Sequence, residues 1–311
     1  MRARLEAVAV ARPDPGEARA SSVALAAEAG LACLARAGRE PAEVEVLVNC
    51  GVYRDENIGE PAMAPFIQRR MGANAAFPPS RSAGTLSFDL CHSTCGFLSA
   101  LRVVAGFIES GRIRCGMVVA SDVDPAAGSR GLALDPLGAA VLLAAGDGRE
   151  GFAAFHAETF PRYAALYESR LSWVGDLPAP ARPPNRDDHA VLVRQDEKYV
   201  TACVDCAEST VRRFLAARGM EIEDLHLIVA SRSPAGFSDE LGRRLEAAER
   251  VPPPSDPSER VHAAGTGLAL AAAMEGGMYA RASRTLLVAA GPGVSVALAL
   301  YTKDADRPRG G

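Results

Sequence analysis

Two thiols, an imidazole and two hydroxyls fall within five consecutive residues, Cys91-His92-Ser93-Thr94-Cys95. The pattern before them, residues 85–90, reads as a strand, and the one after, from Gly96 to Gly111, as an apolar helix. Cys95 therefore falls at a helix N-terminus. Unpaired backbone N–H groups and the helix dipole favour negative charge there, and such sites lower a thiol's pKa from its usual value of about 8.5. A thiolate so placed attacks thioesters readily. The competing reading of the same residue is a small cysteine filling a core.

A partner for such a nucleophile is His262, in Arg260-Val261-His262-Ala263-Ala264-Gly265, which also leads into a helical pattern. An imidazole can take or give a proton close to neutrality. Ser231, just past an apolar strand pattern, could add a hydrogen bond. The N–H groups of Cys95 and of the turn Gly291-Pro292-Gly293 could hold a developing oxyanion, although Pro292 has no N–H to offer. Thr94 and His92 are candidates for substrate contact by their place in the loop, His92 being equally suited to a structural role. Cys91, His92 and Cys95 could be combined with Cys203 and Cys206 as a zinc set. The latter pair sits one helical turn apart in a distant segment, so no metal is expected.

The elements that must position these groups alternate strand and helix. Ser21–Gly38 reads as a helix, with Ser21 or Ser22 as its cap and Gly38 as its stop. Val44–Val48 reads as a buried parallel strand, Ala62–Gly72 as a helix, and Gly116–Ala120 and Leu137–Ala145 as strands. Ala153–Ala157 would continue the meander. Residues 160–194 change character, with Phe160, Tyr163, Tyr167 and Trp173 set among prolines and polar residues, and read as a connector. After them the first pattern returns: residues 34–48 align without a gap on residues 215–229. The passage through Glu109-Ser110-Gly111 to Met117 likewise resembles that through Glu275-Gly276-Gly277 to Leu287. This predicts an N-terminal half (1–159), a connector (160–194) and a C-terminal half (195–311), two copies of one unit. Their mostly parallel sheets would be covered by helices, with the site at strand carboxyl ends and helix N-termini.

Phe88-Asp89-Leu90, Cys95-Gly96-Phe97-Leu98-Ser99-Ala100-Leu101, the stretch from Glu109 to Asp122, the stretch from Asp135 to Glu158 and the turn at Gly291 together resemble ketoacyl-acyl carrier protein synthase III of the thiolase superfamily. The resemblance runs over nearly the whole chain. It implies an α/β fold, the five-layered α-β-α-β-α thiolase architecture of two pseudo-symmetric repeats, in a homodimer or a heterodimer with another thiolase-fold protein. It also implies acyl transfer from a coenzyme A or acyl carrier protein thioester, with no permanently bound cofactor. The family's usual triad is Cys, His and Asn, and here it is broken. Thr94 stands at the nucleophile position, one residue before Cys95. Ser231-Arg232-Ser233-Pro234 replaces the segment carrying the His, and Arg260, or His262 after a two-residue shift, replaces the Asn. Two expectations follow. One is a rebuilt Cys95–His262 dyad, assisted by Ser231, that passes an acyl group to a carbon, oxygen or nitrogen nucleophile in specialised or fatty-acid-like biosynthesis. The other is a catalytically degenerate subunit that pairs with an active ketosynthase.

Composition is compatible with either. The chain has 311 residues, 48% apolar and 23% charged, which suits a packed protein and not a disordered one. A formal net charge of −4 gives no electrostatic footprint for nucleic acid. No stretch reaches the roughly 18 uncharged apolar residues of a membrane helix, and Glu6 interrupts any leader, so a cytoplasmic protein without a membrane partner is expected. Seven cysteines, an odd number, argue against a disulfide scaffold.

Overall fold

The computed structural model describes residues 1–14, 20–75, 84–124, 133–173, 189–254 and 260–303. Five strands form the first sheet: β1 (Arg2–Ala11), β2 (Val46–Asn49), β3 (Leu86–Asp89), β4 (Cys115–Asp122) and β5 (Leu137–Gly146), in the order β1-β5-β4-β2-β3. β2 runs parallel to β3 and β4, and β5 runs antiparallel between β4 and β1. β2 and β4 are buried on both faces, which accounts for their unbroken apolar runs.

The second sheet repeats that order without a counterpart to β3. It contains β6 (Gly151–Thr159), β9 (Leu227–Ala230), β10 (Arg284–Gly291) and β11 (Ser295–Thr302), ordered β6-β11-β10-β9. β9 is parallel to β10, and β11 is antiparallel to β10 and β6. The sequence pattern had residues 153–157 continuing the first meander. They pair with β11 instead, because both edges of β5 are already taken by β1 and β4. The second sheet thus draws in residues 151–159, from before the connector.

Helices fill three layers. α1 (Ser22–Ala37) and α2 (Met63–Met71) cover the outer face of the first sheet. α4 (Tyr199–Ala216) and α5 (Phe237–Arg244) cover the outer face of the second. Between the sheets lie α3 (Gly96–Glu109) and α6 (Gly265–Glu275), with the short α7 (Met278–Arg281) after α6. This is the α-β-α-β-α arrangement. α1 starts where the Ser21 side chain accepts the N–H of Ala24, and stops at Gly38, whose φ of 63° suits glycine. α6 reads Gly-Thr-Gly-Leu-Ala-Leu-Ala-Ala-Ala-Met-Glu and is apolar on all sides because a sheet lies on each side of it. Its small residues allow close packing: a Cβ on Gly267 would fall 3.0 Å from the ring of Phe97 on α3.

The connector is built, not bare. After a 3-10 turn at Pro161–Leu166, β7 (Tyr167–Trp173) pairs antiparallel with β8 (His189–Gln195). The Tyr167 hydroxyl lies 2.9 Å from that of Tyr53, tying this hairpin to the loop after β2. All seven cysteines are free, and only Cys91 is exposed.

Candidate active site

β3 ends at Asp89, and the chain crosses to α3 through Leu90, Cys91 and His92 and a 3-10 turn, Ser93–Cys95. In the second half, Val261, His262, Ala263 and Ala264 lead into α6 in the same way. The two helix starts face each other, and between them Ser93 Oγ lies 3.1 Å from His262 Nε2. On the far side of the ring, His262 Nδ1 lies 3.5 Å from Asp122 Oδ2, at ion-pair distance but off the line of a hydrogen bond. The edge of the Tyr53 ring packs on the imidazole, with centroids 4.9 Å apart.

Asp122 closes β4 and is 3% exposed. Its Oδ1 accepts the N–H groups of Val52 and Tyr53, each at 2.7 Å, and its Oδ2 accepts that of Ala263 at 2.8 Å. Burial opposes its charge. The neighbouring His262 and the N–H groups of Tyr53 and Val52 more than offset that, so its carboxyl titrates below the usual aspartate range. A buried carboxylate with three backbone donors is a rigid support for whatever it faces.

The residues expected from sequence divide into two groups. His262, Thr94 and Arg260 line one cleft, a cavity of about 180 Å³ walled by Tyr167 and Tyr199. Thr94 is buried there, and its hydroxyl donates to the carbonyl of Ala290. Arg260 sits at the cleft with its guanidinium on Asp135, 3.1 Å away. Gly291 makes room for this corner, since a Cβ on it would fall 2.3 Å from Thr94 Oγ1. Gly293 has a φ of 127°, a conformation that suits glycine.

Cys95 and Ser231 do not join this group. The Cys95 thiol is 0% exposed and belongs to the core between the sheets, where it points at the carbonyls of Ser295 (3.4 Å) and Ala289 (3.7 Å). Burial pushes the thiol up to about 12, the reverse of the depression expected at a helix start. The first turn directs this side chain inward, so dipole and exposed N–H groups do not compensate the loss of water. The expected pairing of Cys95 with His262 is therefore replaced by a pairing of Ser93 with His262. Ser231 is fully buried and its hydroxyl accepts the N–H of Ser233, which holds the turn after β9. His92 points its Nδ1 at the Ser99 hydroxyl, 2.8 Å away, and burial lowers its pKa.

Sequence reasoning passed over Ser93 and Asp122. A signal existed for both. Ser93 stands three residues before the glycine that opens α3, as His262 stands three before the glycine that opens α6. Asp122 is the charged end of an otherwise apolar strand. Among the described residues, no cluster of three or more His, Cys, Asp or Glu side chains is placed to hold a metal ion.

No protein-family model matches the chain. Among curated proteins, β-ketoacyl-acyl carrier protein synthase III of Acidiphilium cryptum is 27% identical over 289 residues, covering 89% of this chain and 82% of that protein. The synthase III of a Synechococcus strain is 33% identical over a shorter stretch of 100 residues, 32% of this chain and 26% of that one. Among solved structures, 3-oxoacyl-(acyl carrier protein) synthase III of Pseudomonas aeruginosa superposes with a TM-score of 0.75 at 23% identity, covering 99% of this chain and all of that one. A priming β-ketosynthase of a polyketide pathway reaches 0.78 at 20% identity, with 98% and 97% covered. OleA of Xanthomonas campestris, solved with lauric acid and lauroyl-CoA, reaches 0.76 at 13% identity, with 97% and 99% covered. The chain is ketoacyl synthase III-like and has the thiolase fold.

Proposed function

We propose that this ketoacyl synthase III-like chain is an acyl-transferring enzyme that takes its acyl group from a coenzyme A or acyl carrier protein thioester. The observation that carries the reading is His262, supported by the buried carboxylate of Asp122 and opening on the cleft at the start of α3. An imidazole so placed handles the proton of the attacking and leaving groups. The N–H groups at the start of the helix suit the oxygen of the tetrahedral intermediate. The positions where the resembled family carries its His and its Asn hold Ser231, sealed in its own turn, and Arg260, paired with Asp135. Neither side chain is arranged to assist loss of carbon dioxide from a malonyl group. That favours an oxygen or nitrogen acceptor over a carbon one. The partner in this reading is the thioester donor, and a second thiolase-fold subunit, identical or not, would complete the assembly.

The test is release of free thiol from a panel of acyl-coenzyme A and acyl-carrier thioesters, with small alcohols and amines as acceptors. Thiol release in the wild type, falling about a hundredfold or more in His262→Ala, is the expected result. No release from any donor, with stable capture of an active ketosynthase, would instead establish a non-catalytic subunit. The buried, high-pKa thiol of Cys95 is the observation that gives that second reading its weight.

A further inference from the structure

Three neighbouring residues offer a nucleophilic atom at the start of α3, and their surroundings separate them. Cys95 is enclosed in the core. Thr94 is 2% exposed and its hydroxyl is committed to the Ala290 carbonyl. Ser93 is half-buried, and its hydroxyl faces an imidazole nitrogen at 3.1 Å. Its backbone is held at a φ of 47°, in the left-handed region that is strained for a non-glycine residue. Such strain between a strand and a helix presents a side chain outward from the turn, and it persists only where the surrounding structure enforces it.

We propose that Ser93 is the acyl-accepting nucleophile of this protein, in a Ser93–His262–Asp122 relay, and that the enzyme works through a serine oxyester and not a thioester. The proposal deepens the acyl-transfer reading and rests on it. With the ring proton of His262 on Nδ1, 3.5 Å from Asp122 Oδ2, Nε2 presents its lone pair to the Ser93 hydroxyl. In the first half-reaction, Ser93 Oγ bonds to the thioester carbonyl carbon while its proton passes to His262 Nε2. The carbon–sulfur bond then breaks, and the departing thiolate takes that proton to leave as free thiol. In the second, an acceptor O–H or N–H gives its proton to Nε2 and attacks the oxyester. The bond to Ser93 breaks and its oxygen recovers the proton. No oxidant, reductant or metal is needed. Asp122 is a positioning residue: it touches neither donor nor acceptor and acts by facing the far side of the ring with a fixed negative charge.

The experiment has two arms. In the first, the full-length protein is treated with a fluorophosphonate, whose fluoride leaves as Ser93 bonds to phosphorus and its proton passes to His262. The modified peptide is then located by mass spectrometry. In the second, acyl-coenzyme A is added and the acyl adduct is mapped and challenged with neutral hydroxylamine, which cleaves thioesters far faster than oxyesters. The expected result is label and a hydroxylamine-resistant adduct on Ser93. Both should be absent from Ser93→Gly, a variant that tolerates the positive φ, and reduced about a hundredfold or more in rate in His262→Ala. Asp122→Asn should cut the acylation rate by at least about a hundredfold with the thioester KM within about threefold, a split that general destabilisation would not produce. A hydroxylamine-labile adduct on Cys95, or an adduct surviving in folded Ser93→Gly, overturns the serine assignment and leaves acyl transfer standing. Fluorophosphonate labelling of Ser93 with no thioester turned over supports the relay and removes the thioester-donor reading. No labelling of Ser93 in the first arm overturns the relay.

Discussion

The two halves place corresponding residues at corresponding points and fill them differently. Ser93 and His262 are such a pair, each three residues ahead of a central helix. Asp122 and Gly291 are another, each the last residue of an eight-residue central strand. The first half ends its strand in a carboxylate that reaches into the second half, to Ala263 and His262. The second ends its strand without a side chain, and the vacated space is taken by Thr94 of the first. A repeat thus supplies two facing helix starts, and the proposed chemistry depends on the broken symmetry between them.

The largest expected effect of disturbing that asymmetry is at Asp122. Asp122→Asn removes the charge and turns one acceptor into a donor against a buried N–H, which should cost about 3 kcal/mol in urea unfolding. The acid limb should change with it. The folded carboxyl titrates below its unfolded value of 3.8, so the wild-type charge stabilises above that pH and is lost as pH falls through the lower folded value. The Asn variant should lack this part of the slope, and an unchanged acid limb would remove Asp122 as the charged support. A smaller effect is expected at its counterpart. Gly291→Ala pushes a methyl group against Thr94 Oγ1 and should cost about 1–3 kcal/mol in thermal unfolding. Part of that cost should return in a Thr94→Ala background, and strict additivity would show that the two residues do not share the space. The smallest effects lie outside the seam. Gly38 and Gly219 follow the helices of the matched segments at φ values of 63° and 64°, so Gly38→Ala and Gly219→Ala should each cost about 1 kcal/mol. A difference well above about 0.5 kcal/mol between them would mean that the halves resemble each other in shape but not in local energetics.

Much of this arrangement was legible in the chain. The match of residues 34–48 to 215–229 is a match of real structure. In both, a glycine follows the helix, a 3-10 turn is closed by a capping box, Glu40 with Glu43 and Glu221 with Asp224, and a buried strand follows. Hydrophobic periodicity and caps are local, and local signals survive in sequence. The site was less legible. His262 and the segment around Cys95 stood out by residue type, but which of Ser93, Thr94 and Cys95 points outward depends on a left-handed residue at Ser93, which composition does not announce. Strand β6 was misassigned to the first meander for a related reason. An apolar run shows that a strand will be buried, while the free edge that accepts it is decided by the rest of the sheet.

The donors on Asp122 come from both sides of the seam: Val52 and Tyr53 from the loop after β2, and Ala263 from the loop before α6. No covalent bond ties these loops together, yet one carboxylate reads the position of each to within a hydrogen-bond length. A relative slip of the halves by 1 Å or so would strip the carboxylate of its donors and turn the imidazole away from Ser93 in the same movement. Alignment of the halves and the geometry of the proposed site are therefore a single mechanical condition, and damage to packing far from the cleft reaches Ser93 and His262 by way of this one residue.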